Sequence, residues 1–160
     1  FAQIHAIILS KNDEPVQGGL FVKILGIDYG DARTGLSVSD ATGILAGSPS
    51  VIHEWNRDKL LDKLCGFIVE NKIEEIVLGH PKNMDGTVGE RAQKCEALAA
   101  ELQERTGVPV VLWDERRTTV AAHQILHDSG KKAKKHRQTV DAVAAALILQ
   151  GYLDFKRMQG

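Results

Sequence analysis

Apolar residues fall along this chain in two rhythms. From Val22 to Tyr29 the run is rich in branched apolar residues and stops at Gly30, the pattern of a central strand. Thr34 to Ser39 alternates after a glycine-containing turn and predicts a hairpin partner, and Val51-Ile52 marks a third short strand. The period then changes. Leu60, Leu61, Leu64, Phe67 and Ile68 recur at helical spacing and predict an amphipathic helix from Arg57 to Asn71. Glu75 to Gly79 reads as a buried strand bounded by Pro81. Val88, Ala92, Cys95, Ala99 and Leu102 define a second helix closed by Gly107, and Val108 to Trp113 is another strand. A short helix is expected from about Thr118 to His127. A last helix starts near Thr139, with Val140, Val143, Ala144, Leu147 and Ile148 on one face. Hairpin-ordered strands followed by alternating helices and strands predict an α/β fold: a mixed five-stranded sheet, three antiparallel strands first, with helices packed on both faces. In such sheets, sites form where loops leave the carboxyl ends of the strands.

The segment before Val22 does not share this patterning. Ser10 to Gly19 is polar, contains Pro15 and ends in Gly18-Gly19, so residues 1–21 read as an N-terminal extension or linker. Ile4 to Leu9 is apolar, but no basic segment precedes it, which argues against a signal peptide.

Composition narrows the class. With 160 residues, 43% hydrophobic and 26% charged, the chain matches an ordinary globular domain and excludes a disordered or collagen-like one. No apolar run approaches the ~18 residues of a membrane span, so a soluble protein is expected. The 20 basic and 21 acidic residues nearly cancel, so any nucleic-acid surface must be local. Cys65 and Cys95 cannot form a disulfide framework, fit a reducing compartment and read as core thiols. Trp55 and Trp113 are expected to pack in the core rather than stack on bases.

Three acids stand out by position. Asp28 ends the first strand, where a carboxylate is costly unless something pairs with it. Asp114-Glu115 follow the last strand, and Asp141 lies in the first turn of the last helix. Each alone has a plain structural explanation, a turn residue or a helix-dipole acid. Converging at one sheet edge about 5 Å apart, they would repel by roughly 3 kcal/mol per pair at an effective dielectric of 20. That cost calls for bound cations or raised pKa values. Oxygen-only ligands select Mg²⁺ or Mn²⁺, ions that in pairs promote phosphodiester cleavage. Basic residues surround the acids in sequence: Lys131, Lys132, Lys134, Lys135 and Arg137 lie directly before Asp141. Arg33, Lys82, Arg91, Arg116 and Arg117 are predicted at the same edge, and such residues make most phosphate contacts. The loop Gly79 to Thr87 joins a strand to a helix and is expected to offer backbone N–H groups to a phosphate. It lacks the Gly-Lys-Ser/Thr of a P-loop.

Four motifs in order resemble the YqgF (RuvX) family, Holliday-junction-resolvase-like proteins also described as pre-16S rRNA nucleases. They are Ile27-Asp28-Tyr29-Gly30 with Gly35, Ile76 to Pro81 with Met84-Asp85-Gly86-Thr87, Asp114 to Thr119, and Val140-Asp141-Ala142 through Leu153. The resemblance spans about residues 23–155. It implies a ribonuclease-H-like fold over residues 22–157, a bacterial cytoplasmic location and maturation of the 5′ end of 16S rRNA. Asp28, Glu115 and Asp141 would then be the metal-binding catalytic acids with Mg²⁺ or Mn²⁺, and Arg33, Lys82, Arg91, Arg116, Lys134, Lys135 and Arg137 the nucleic-acid contacts. Precursor rRNA is the implied partner and branched DNA the alternative, and ribosomal association and a homodimer stay open. True junction resolvases carry a Glu after the fourth strand and two acids three apart on the last helix. This chain has Gly79-His80-Pro81, Gln138 and Ala144 instead, which leaves one or two metals open and Asp114 as a substitute for Glu115. A binding module of the same fold with little catalysis is the competing class, and the three intact acids favour the enzyme.

Overall fold

The structure, a computed structural model, describes residues 22–47, 49–115 and 137–159, and over 137–142 the backbone only. Three strands come first: β1 (Ile24–Asp28), β2 (Arg33–Val38) and β3 (Ser50–His53). Helix α1 (Arg57–Glu70), β4 (Glu75–His80), helix α2 (Glu90–Thr106), β5 (Val110–Asp114) and helix α3 (Arg137–Gln159) follow. The strands form one sheet in the order β3-β2-β1-β4-β5. The β1–β2 and β2–β3 pairs are antiparallel, while β1–β4 and β4–β5 are parallel. The mixed five-stranded sheet expected from the sequence is therefore present, with boundaries shifted by one or two residues. At Val88 the shift changes a residue's role: it precedes the Gly89 N-cap of α2 and is exposed rather than on the helix's buried face. The segment expected to form a helix from Thr118 to His127 lies outside the described residues.

Alternation along each strand divides the core in two. Leu25, Ile27, Leu36, Ile76, Leu78, Val110 and Leu112 face α1 and α2, meeting Leu60, Leu61, Leu64, Ile68, Leu98 and Leu102. Ile24, Val77, Val111 and Trp113 face α3, meeting Ile148, Leu149, Tyr152 and Leu153. Each of these buried side chains contributes about 1.5–3 kcal/mol. Asn56 caps α1 by accepting from the Lys59 amide at 3.0 Å, and Gly107 at φ 71° closes α2.

The placement of α3 decides where the site lies. A Cβ at Gly26 would meet Leu149 Cβ at 2.7 Å and the Ala145 carbonyl at 2.9 Å, so the missing side chain lets the helix touch β1. Tyr152 reaches Glu75 at the start of β4, while Ile148 packs on Gly79 near its end. Helix α3 thus runs antiparallel to β4, and its first turns project toward the carboxyl edge of the sheet. Gln150 fastens it laterally, accepting from the Ala46 amide at 3.0 Å and donating to the Ile44 carbonyl at 2.9 Å.

Candidate active site at the carboxyl edge of the sheet

Asp28 is the last residue of β1 and is half-buried. Strand alternation puts it on the same face as Gly26, the face covered by α3. Position 141 is four residues, one helical turn, before Ala145, whose carbonyl lies against Gly26. The backbone of α3 at 141 therefore passes beside the carboxyl end of β1. Glu115 follows β5 and folds back over β4, where a Cβ at Gly79 would stand 2.5 Å from its Oε1. Glycine at 79 leaves the space that this carboxylate occupies.

The electrostatics tie these groups together. Burial holds the Glu115 carboxyl above its ordinary value, Arg91 pulls the other way, and the Asp114 charge adds to the rise. Burial also pushes the Cys95 thiol up to about 12, opposed by Arg91 and reinforced by Glu115, Asp28 and Glu96. One buried thiol thus lies within electrostatic reach of both Asp28 and Glu115. At that value it stays protonated and inert at neutral pH.

Several expectations take a different form here. Arg91 donates from Nη2 to the Tyr29 carbonyl at 3.0 Å, bracing the turn after Asp28. Arg33 begins β2, and Lys82 sits in the turn after β4. In the loop after β4, expected to offer amides to a phosphate, four amides are already engaged within the loop. Its Asn83, Gly86 and Thr87 amides donate to the Thr87 carbonyl, the Asn83 carbonyl and Asp85 Oδ1, and the Lys82 amide to the His80 carbonyl. The Asn, Asp and Thr of this loop are the residues that make such local turns. Trp113 packs in the core against Tyr152 and Phe155, but Trp55 is 76% exposed, so the expectation of packing fails for it. Arg116, Lys134 and Lys135 lie outside the described residues, as do the side chains of Arg137 and Asp141.

No role for His80 was legible in the sequence. It is buried, with Nε2 3.0 Å from Glu96 Oε1, and Nδ1 has no hydrogen-bond partner among the described residues. It pairs in register with Asp114, which is also buried. The visible signal was a polar residue ending an apolar strand.

Among the described residues no group of three or more His, Cys, Asp or Glu side chains is arranged to hold a metal ion. The described donors are two carboxylates, Asp28 and Glu115, with the third candidate on α3. Hard carboxylate oxygens, one of them under a burial penalty for its charge, suit Mg²⁺ or Mn²⁺.

A family profile described as RuvX, Holliday junction resolvase, matches residues 22–155. A Lachnospira eligens protein with the provisional name pre-16S rRNA nuclease is 42% identical over 139 residues, covering 85% of this chain and 99% of that protein. A Geobacillus kaustophilus protein of the same name is 44% identical over 138 residues, covering 85% of this chain and 100% of the relative. Among solved structures, Thermus thermophilus RuvC in complex with a Holliday junction substrate superimposes with a TM-score of 0.57 at 14% identity, covering 86% of this chain and 96% of that one. Fowlpox virus resolvase with Holliday junction DNA gives 0.53 at 10% identity, covering 84% and 98%. At such identities the likeness concerns the fold, and it bears out the ribonuclease-H-like sheet. With a profile covering the whole described sheet and relatives above 40% identity along nearly their full length, the chain belongs to the RuvX family.

Proposed function

We propose that this chain is a divalent-metal-dependent nuclease that hydrolyses phosphodiester bonds in structured RNA, with 5′-end maturation of precursor 16S rRNA as its task in the cytoplasm. The observation that carries this reading is the placement of Asp28 at the end of β1 and of Glu115 over Gly79 near the end of β4, at the same carboxyl edge toward which α3 carries position 141. The names of the relatives favour RNA as the substrate.

Asp28, Glu115 and Asp141 would hold Mg²⁺ or Mn²⁺, and such an ion, when bound, polarises the phosphodiester and lowers the pKa of water. The protein's own part is geometric and electrostatic. Asp28 is fixed by the β1 ladder, and Glu115 by the slot over Gly79. Arg91 braces the turn after Asp28 through the Tyr29 carbonyl and favours the charged form of Glu115. Arg33, Lys82, Arg91, Arg116, Lys134, Lys135 and Arg137 supply the phosphate contacts. Neutralising Lys134 and Lys135 should flatten the salt dependence of binding by about 1 per lost contact.

The test is cleavage of a precursor 16S rRNA fragment and of a four-way DNA junction by wild type and Asp28→Asn, with and without Mn²⁺. Cutting of the RNA that needs Mn²⁺ and Asp28 supports the reading. Preferential cutting of the junction moves the substrate to branched DNA. A variant that still cuts at the wild-type rate after repurification leaves the chain as a nucleic-acid-binding module.

A further inference from the structure

Trp55 is 76% exposed, whereas Trp113 is 6% exposed. Its place in the fold is not arbitrary. Strand β3 runs parallel to β1, because each pairs antiparallel with β2, so the carboxyl end of β3 lies at the same edge as Asp28. The Glu54 amide donates to the Ala32 carbonyl at 3.0 Å, pinning the residue before Trp55 to the β1–β2 turn. On the other side, the Asn56 amide donates to Glu54 Oε2 at 3.2 Å and Asn56 caps α1. Lys63 holds the same Glu54 carboxylate at 3.0 Å. An indole is thus presented to solvent from a backbone fixed at both ends.

Register then draws a line across the sheet. Asp28 pairs with Gly35, Arg33 lies two residues along the same face of β2, and Arg33 pairs with His53. Cross-strand partners share a face, so Asp28, Arg33 and the exposed His53 form one row on the α3 face. The row runs diagonally, two strand spacings across and two residues along, about 12 Å from Asp28 to His53. Trp55 stands two residues past its far end. An acid at one end, a basic residue between and an exposed aromatic beyond is the layout of a single-strand track, in which cations follow the backbone and an aromatic face takes a base.

We infer that Trp55 is a base-stacking subsite for an unpaired nucleotide of the substrate, lying along the row Asp28–Arg33–His53, so that the enzyme engages a single-stranded segment beside the bond it cuts. The inference rests on the nuclease reading for the role of Asp28, but its test needs no cleavage.

Full-length wild type, Trp55→Ala and Trp55→Phe are titrated in EDTA with a fluorescein-labelled RNA hairpin carrying a single-stranded tail and with the same hairpin blunt-ended. Trp55→Ala should weaken binding of the tailed RNA by about 5- to 150-fold, the range for loss of one base–aromatic stack. The blunt hairpin should bind both proteins alike, and Trp55→Phe should stay within about 3-fold of wild type on either RNA. Tailed RNA should also quench the Trp55 part of the intrinsic fluorescence, leaving that of buried Trp113 in the Ala variant. Equal loss on tailed and blunt RNA, or no loss on either, overturns the subsite. Self-association that disappears in Trp55→Ala with RNA binding unchanged overturns it in favour of a contact between copies of this chain. If wild type cleaves RNA while Trp55→Ala binds normally, only the subsite fails. If wild type binds and cleaves no nucleic acid, both readings fall.

Discussion

Two glutamates lie beneath α3 at opposite ends of the sheet, and the protein treats them differently. Glu75, at the start of β4, accepts from the Tyr152 hydroxyl and from Lys156 Nζ at 2.9 Å, with its side chain 14% exposed. Burial first, and then the Glu75 charge, push the Tyr152 phenol up, so it stays a protonated donor at any ordinary pH. Glu115, at the carboxyl edge, sits over Gly79 with burial and Asp114 outweighing the help from Arg91. The amino end closes on partners supplied by the chain, so its carboxylate is a structural fastening. The carboxyl end keeps a carboxyl whose ionisation carries a cost, the condition under which an exchangeable cation binds with gain. The two ends thus differ less in residue type than in what surrounds the carboxylate: a phenol and an ammonium at Glu75, a burial cost with Arg91 and a second carboxylate, Asp114, at Glu115.

Substitutions at either end of the sheet test this difference. The largest effect should follow Asp28→Asn: cleavage should fall by more than about 100-fold, the upper range for loss of a supporting group at a metal site. Metal-free RNA affinity should hold or rise, because a negative charge at the carboxyl edge is gone, and the melting temperature should be no lower, because Asn keeps the shape and volume of the side chain. A drop in melting temperature would make Asp28 structural. Next comes Gly79→Ala, whose methyl would stand 2.5 Å from Glu115 Oε1 and 2.7 Å from Ile148 Cδ1. Urea unfolding should show a loss of about 1–3 kcal/mol, and activity should fall with it. At the other end, Tyr152→Phe should cost about 1.5–3 kcal/mol, the worth of a hydrogen bond to a charged group, while leaving cleavage unchanged. Loss of activity there would erase the distinction between the two ends.

The smallest effect concerns Glu115 and depends on pH. Its folded carboxyl binds a proton more tightly than the unfolded one, whose ordinary value is 4.5. Its contribution to stability is therefore fully present below that value and is lost as pH rises through the raised one. Glu115→Gln removes this loss, so the variant should melt higher than wild type at pH 7 and lose its advantage at pH 4. Added Mn²⁺ should raise the melting temperature of wild type but not of Glu115→Gln. If instead Asp114→Asn alone abolishes the Mn²⁺ response, the ligand is one residue away.

Strands and helices were legible in the sequence because burial periodicity is a local property. Leu60, Leu61, Leu64 and Ile68 line one helix face wherever that helix docks, and Ile24 to Ile27 fill a central strand whatever its neighbours. Asp28 was legible for a related reason: a carboxylate ending an apolar strand declares its own cost. The hydrogen bonds closing the loop after β4 were half legible, since Asn83, Asp85 and Thr87 are turn-forming residues that satisfy one another.

Other features depended on which elements became neighbours. That Glu115 fills the space over Gly79 follows from the β4–β5 register and the seat of Ile148, neither of which is written in the local pattern. His80 found Glu96 only once α2 packed across β4. The two tryptophans make the same point: Trp113 became core because α3 brought Tyr152 and Phe155 to it, and Trp55 stayed in solvent because no described element covers the end of β3. The elements and the acids worth watching follow from local pattern, because periodicity and the cost of a strand-end charge act within a few residues. Which groups share an edge follows from the packed fold, because register and helix docking bring together residues far apart in the chain.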